Sequence, residues 1–500
     1  MKKLNIVLLL AILAILSGLT ACNLAKKTKI TDIPVTTSSK DAMTSVRQGL
    51  ALMDQGEALK ARALFSKAIE QDSKLAIAYI LKSGSSRSPR EFKEDLDHAK
   101  ANLEGTSNWE KMYYDFYETY LNNDWNKRLE IAQKIAGAYP DAPRALVDLG
   151  SVYMEGNDDA HVRDCYQKAM NLDTNWVGGY YACAMSFLFN EPKDFKKAEE
   201  YALKAVKLAP SSPGPEIALG DCYRAEDNLQ KAKDAYSKAI ALDPSAPEAY
   251  YKKGHANTYL GNFDEAREDY MNGGKHDRDF VEANNSIGYT YLYAGDYKEA
   301  MKWISEQAAK TDSSGESKDK IEAAKQEYYY NCFLIAFHIG DVAGVKKMIA
   351  KIEPLSVVIS NEIGTKEEGI SQKGFILFLK ALSEAMERNY DAAKAKTAEI
   401  KTILEPIHNP TKLSDYESAM GYICMKEKKY TDAISHFEKT QLTRIYNKYW
   451  LAIAYEAAGK EEKALPLFRE ISVYNFNDIG YALVRNEVKN LLTREAAKKK

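Results

Sequence analysis

Cys22 is the residue whose type and place most directly suggest chemistry. It follows Lys2 and Lys3, an apolar stretch from Leu4 to Leu16 broken once at Asn5, and the small residues Ser17, Gly18, Thr20 and Ala21. This is the layout of a secretory leader rather than of a spanning helix. A thiol at its end is a nucleophile. Elsewhere, reactive side chains do not fall into working patterns. The seven histidines, His98, His161, His255, His276, His338, His408 and His436, show no metal-ligand spacing. No H-E-x-x-H, C-x-x-C, G-x-S-x-G or phosphate-loop sequence occurs, and Gly459-Lys460 is followed by Glu461. The many carboxylates read as solvated helix faces. Cys165, Cys183, Cys222, Cys332 and Cys424 sit inside helical patterns and read as small buried core residues. No catalytic residue, metal or cofactor is expected.

The elements behind these residues come from composition and repetition. Five hundred residues exceed one ordinary core and suit several domains or one long repeat array. Lys plus Arg number 69 and Asp plus Glu 71, a balance that argues against a nucleic-acid partner. Proline is scarce at 14 while tyrosine reaches 33, and the composition favours helices. Gly220, Gly254 and Gly288 recur at a step of 34 residues. Around the first lie Ala218-Leu219-Gly220-Asp221-Cys222-Tyr223, then Ala232, Tyr236, Ala239-Ile240 and Asp243-Pro244. Gly261, Phe263, Ala266 and Tyr270 follow the second; Tyr291, Gly295, Tyr297 and Ala300 follow the third.

The small residues let two helices approach, the rings fill the space between, and Gly261 and Gly295 suit helix C-caps. Weaker copies begin at Gly49 and Leu149-Gly150 and resume at Gly340, Tyr390, Gly421 and Tyr455. A helix pair is also expected over 109–121 and 128–139. Each pair leaves an apolar face that only the next can cover. The expected division is a leader over 1–21, a flexible tether over 22–40, and a first array over 41–310. A polar linker over 311–320, a degenerate second array over 321–475, and a capping helix with a basic tail over 476–500 complete it.

The repeated pattern resembles the tetratricopeptide repeat, with its L-G-x2-Y, A-x3-F/Y and terminal Pro. The resemblance implies an all-α fold: an α-solenoid, a right-handed superhelix of about twelve helix pairs, some degenerate, closed by a C-terminal capping helix. It also implies that the first helix of each pair lines a concave groove. Carried onto this sequence, the groove residues are Asp221, Arg224, Tyr251, His255, Tyr259, Asn285, Tyr289 and Tyr293. Tyr251 and His255 stand at two positions where some family members carry a Lys/Asn clamp for a C-terminal carboxylate.

Leu19-Thr20-Ala21-Cys22 resembles the bacterial lipobox. That resemblance implies cleavage before Cys22, a diacylglycerol on its thiol and acylation of the new amino group. The protein would then be anchored in the cell envelope, at the outer membrane, facing the periplasm or exterior. Together these features imply a non-catalytic scaffold that binds other proteins in its groove and touches membrane through Cys22. A glycan- or nutrient-binding outer-membrane lipoprotein is the alternative. An enzyme with a site hidden near 75–140 or 353–373 has nothing positive in its favour.

Overall fold

A computed structural model describes residues 30–86, 88–277 and 280–498. Cys22, the leader and the start of the tether lie outside the described residues. Among those described, the chain forms 25 α-helices and one 3-10 turn, with no strand. They make twelve antiparallel pairs plus a final helix, and each pair packs on the next. The fold is an α-solenoid.

The 34-residue step is plain in the middle of the array. Helices Pro213–Ala225, Pro247–Leu260 and Phe280–Tyr293 are first helices, and Leu229–Leu242, Phe263–His276 and Tyr297–Lys310 are their partners. Proline at the first position starts two of the former, where a missing N–H costs nothing. Gly261, at φ 86°, ends the Pro247 helix in the left-handed region.

One contact rule holds the pairs together. In six pairs a glycine of the first helix lies flat against a large side chain sixteen residues on. A Cβ built at Gly220 would sit 2.4 Å from the Tyr236 ring, at Gly254 2.6 Å from Tyr270, and at Gly288 2.7 Å from Ile304. Gly49 with Phe65, Gly150 with Tyr166 and Gly421 with Phe437 repeat it. The pair expected in the degenerate stretch is present as Asn108–Leu121 and Trp125–Ala138.

Three expectations need correction. Residues 311–320 are not a divide: Thr311 is buried in a 3-10 turn, and one continuous core joins Ile304 and Ala308 before it to Tyr328 and Phe333 after it. The chain also leaves the 34-residue step here, with helices Lys318–His338, Val342–Ile363 and Lys366–Met386 of 21 to 22 residues.

The end of the tether is packed, not free. Ile33 is fully buried, the Thr36 backbone N–H donates to Glu110 at 3.0 Å, and Arg144 donates to Asp32 at 2.9 Å.

The final helix, Ile479–Lys498, does more than cap. It packs on the last pair through Glu461–Ser472 and Ile445–Ala457, and also crosses to the Phe280 and Lys318 helices. Leu483, Val484 and Val488 supply its buried face.

Candidate functional site

The sequence places eight residues on a concave row, and all of them lie on first helices of consecutive pairs. The tyrosines expected to line an open groove are not open to solvent. Tyr251, Tyr259, Tyr289 and Tyr293 are all less than a tenth exposed. The row divides into a half covered by the chain itself and a half that walls a cavity.

The covered half is sealed by the C-terminal segment and the Lys318 helix. The rings of Tyr259, Tyr293 and Tyr481 meet edge to face at centroid distances of 5.5 to 6.0 Å. Arg485 donates to the Tyr259 carbonyl at 3.3 Å, and Asn486 donates to that of Tyr293 at 2.8 Å. Asn331 donates to the Tyr289 hydroxyl at 3.1 Å and to Asn285 Oδ1 at 3.0 Å, while Asn285 donates to Glu327 at 2.6 Å. Asn331, Asn285, Tyr289 and Glu327 satisfy one another, while the buried Tyr259 hydroxyl makes no hydrogen bond. The register argument found the face but not its cover, which comes from up to 226 residues away.

The other half surrounds a cavity of about 830 Å³. Arg224, Tyr251 and His255 form one wall. The opposite wall is the first helix pair, at Glu57 and Lys60, and Phe476 and Asn477 close one end. The superhelix returns on itself to make this space. Gly214, at the start of its helix, lets the Gln55 carbonyl approach so closely that a Cβ would lie 1.5 Å from that oxygen. Arg144 holds Asp54 through two bonds of 2.8 and 2.9 Å, Trp176 Nε1 donates to Asp54 at 2.7 Å, and Ser212 donates to Glu57 at 2.7 Å. Sequence reasoning missed Glu57, Lys60 and Gly214. The signal available was Pro213-Gly214-Pro215, where a glycine between two prolines marks a close backbone approach.

Behind the wall lies a buried polar chain. Asp221 accepts from Arg224 Nη2 at 2.7 Å, from the Tyr236 hydroxyl at 2.6 Å and from Lys252 Nζ at 3.1 Å. Burial alone would raise its carboxyl, but Lys252 and Arg224 outweigh that and hold it below the usual range. Arg224 Nη1 donates to His255 Nδ1 at 2.9 Å. A guanidinium can only donate, so His255 carries its proton on Nε2. Burial, then Arg224 and Lys252, push the imidazole well below its ordinary value and keep it neutral. His255 Nε2 has no hydrogen-bond partner and stops 4.0 Å from Glu282 Oε1. The Tyr251 hydroxyl donates to Asp277 at 3.2 Å.

Sequence comparison now bears on the same helices. Residues 220–258 match a TPR repeat family, and residues 247–273 and 281–307 match a tetratricopeptide repeat family. These segments are tetratricopeptide repeats.

The repeats share local likeness with solved structures. One is the MamA protein, at 26% identity over 35% of this chain and 96% of that one, with a TM-score of 0.28. Another is YrrB, described as a TPR protein with an unusual peptide-binding site, at 19% identity over 35% of this chain and 89% of that one, with a TM-score of 0.26. A third is TTC0263, a thermophilic TPR protein in Thermus thermophilus, at 16% identity over 36% of this chain and 98% of that one, with a TM-score of 0.33. No curated protein matches the chain.

The repeat cavity is charged. Glu57, Asp243, Glu248, Asp277 and Glu282 line it, against Lys60, Arg224 and Lys252. Lys60 sits between Glu57 at 2.8 Å and Asp243 at 2.6 Å, and Lys252 lies 3.8 Å from Glu248. Among the described residues no three His, Cys, Asp or Glu side chains group as a metal site. The five described cysteines are free and buried, and burial pushes Cys165 up to about 11 and Cys183 up to about 12.

Proposed function

We propose that this chain is a non-catalytic scaffold of the bacterial cell envelope that holds a segment of a partner protein in the repeat cavity. The observation that carries the reading is the cavity wall. Arg224, His255 and Asp221 are fixed by one another before any ligand arrives, and preorganised polar groups in a concave site favour a specific partner. The repeats support a protein partner rather than a small substrate.

Glycan binding asks for open aromatic platforms. Here the ring of Tyr251 lies against Gly273, and Phe476 lies under the Arg224 guanidinium at 4.5 Å.

The anchor belongs to the same proposal. The apolar run before Cys22 and its small neighbours support lipidation, and several acyl chains hold a protein to a membrane where one does not. No described helix is long and apolar enough to cross a membrane. Metabolic labelling with a fatty acid tests this. Label should be lost in Cys22→Ala, and label retained there contradicts the anchor.

Blocking the cavity tests the binding role. Ala63 lines it and is exposed, so Ala63→Trp fills space without disturbing the core. Proteins captured by the native chain from its own cells should be lost from this variant and kept by Lys207→Trp, at an exposed position outside the cavity. Equal capture by both variants contradicts the reading.

A further inference from the structure

A second cavity, of about 660 Å³, opens at another seam of the superhelix. Gly84 and Ser86 border both it and the repeat cavity. One side is formed by Phe92 of helix Pro89–Ala101 and by Tyr117 and Tyr120 near the end of helix Asn108–Leu121. The other side is Glu368, in the first turn of the distant helix Lys366–Met386. Contacts across the seam hold the two sides together. Arg90 lies 3.5 Å from Glu362, the Trp125 N–H donates to the His408 carbonyl at 2.8 Å, and Asn409 donates to Asn123 Oδ1 at 3.0 Å.

Three rings line this space. The centroids of Phe92, Tyr117 and Tyr120 lie 6.1 to 6.4 Å apart, and their planes stand at 31°, 53° and 83° to one another. Tyr120 keeps 41% of its surface open. Its ring already seats one cation: the Arg128 guanidinium stands 3.5 Å from its centre, with its charge taken up by Glu155. The charge of the cavity is a separate observation. Glu368 is the one charged side chain among the described residues that line it. Glu368 accepts from Gln372 Nε2 at 2.9 Å and forms no ion pair with any described residue. Gln372 in turn accepts from Gln326 at 2.9 Å, which holds the carboxylate in place. Two nearby hydroxyls are engaged within the fold: Ser83 donates to the Ile80 carbonyl at 2.7 Å, and Ser88 accepts from the Glu91 N–H at 3.1 Å.

We propose that this cavity binds a small alkylated ammonium ion, of which choline is the type. Its methyl groups lie against the rings of Phe92, Tyr117 and Tyr120, and Glu368 balances its charge. A plain ammonium carries three N–H donors and asks for as many acceptors. An alkylated nitrogen donates nothing, and aromatic faces beside one carboxylate are the surroundings that stabilise it. The site is separate from the partner-binding role proposed above and does not depend on it.

Calorimetric titration of the full-length chain in detergent tests it. The probes are choline, its neutral analogue with tert-butyl in place of trimethylammonium, phosphocholine and glucose. Choline should bind, and the neutral analogue should bind at least about ten-fold more weakly, since shape is kept and charge is lost. Glu368→Gln keeps an acceptor for Gln372 and should weaken choline by about ten-fold. Tyr120→Leu should weaken it similarly; if that variant melts early, Glu368→Gln decides. Asp97→Asn, at an exposed acid outside the cavity, should leave binding unchanged. Equal loss in Asp97→Asn and Glu368→Gln would mean general attraction and overturn the site. Equal binding of choline and its neutral analogue would make the cavity a simple apolar cleft and overturn the cation. Glucose bound in preference would assign the cavity to a sugar, and no binding of choline by the native chain would overturn the proposal outright. Phosphocholine separates the sources of the cation. Binding like that of choline points to a headgroup, exclusion points to a free solute, and either result supports the ammonium site.

Discussion

The Tyr293 hydroxyl donates to Asn477 Oδ1 at 3.2 Å across 184 residues of chain, and Asn477 in turn donates to Ser286 at 3.1 Å. A first-helix tyrosine and the segment before the last helix are therefore parts of one packed layer. Tyr481 sits at its centre, fully buried, accepting from Arg485 at 3.1 Å and donating to Asn475 at 3.2 Å.

Truncating either ring of this layer should cost stability. Tyr481→Ala and Tyr293→Ala should each lose roughly 3 to 5 kcal/mol, the range for a buried aromatic. The two should couple by about 0.5 to 3 kcal/mol, because they touch. Urea titration of the single and double variants measures this. Near-native stability for Tyr293→Ala would mean the ring faces a free groove.

The glycine rule predicts a local collision. Gly220→Ala places a methyl 2.4 Å from the Tyr236 ring and should cost about 1 to 3 kcal/mol. Gly137 stands in the last turn of its helix with nothing within 4 Å of its Cβ position, so Gly137→Ala should be neutral or gain up to about 1 kcal/mol. Melting curves of the two variants decide it; a loss in both, or in neither, contradicts the packing.

Lys238 shows where surface position misleads. Its side chain is 59% exposed, yet its ammonium pairs with Glu216, which is 3% exposed. Lys238→Ala strands a buried carboxylate. It should cost about 1 to 2 kcal/mol, less than for a fully buried pair because the lysine end is solvated. Adding Glu216→Gln should recover most of the loss, and chemical denaturation of the cycle reads it out. A loss within about 0.5 kcal/mol would make the pair an ordinary surface contact.

The repeat pairs were legible in the sequence because they are local. Gly220 and Tyr236, or Gly421 and Phe437, are sixteen residues apart, and their contact follows from two helices and a turn. The row of Tyr251, Tyr259, Tyr289 and Tyr293 was legible as a face for the same reason. What covers that face was not. Asn477, Tyr481 and Asn486 reach it only because small rotations per pair add up over many pairs, and no local pattern records the sum. The cavity is hidden likewise, since Glu57 and Asp243 meet at Lys60 only after the superhelix has turned back.

A buried acid gives the fold a pH signature. Asp148 is pushed up to about 7, by burial first, with Arg144 opposing. Between about 4, the value for an exposed aspartate, and about 7, the native chain keeps a proton that the unfolded chain releases. This group therefore lowers stability as pH rises through that window, and the full penalty stands above it. Asp148→Asn should raise the melting temperature at pH 8 and lose that advantage towards pH 4. His255, buried neutral, acts oppositely on acidification, but it is common to both proteins and cancels in their difference. A constant difference across the range would contradict the assignment.

The most direct measurement of the central claim is photo-crosslinking in intact cells from two positions on the full-length chain. One is Glu248, half open in the cavity wall, and the other is Leu203, 45% exposed on a second helix. Each is replaced in turn by a photoreactive phenylalanine. The account predicts an adduct with a partner protein from position 248 and none from position 203. Adducts from 203 alone, or equal yields from both, would place the partner outside the cavity and contradict it.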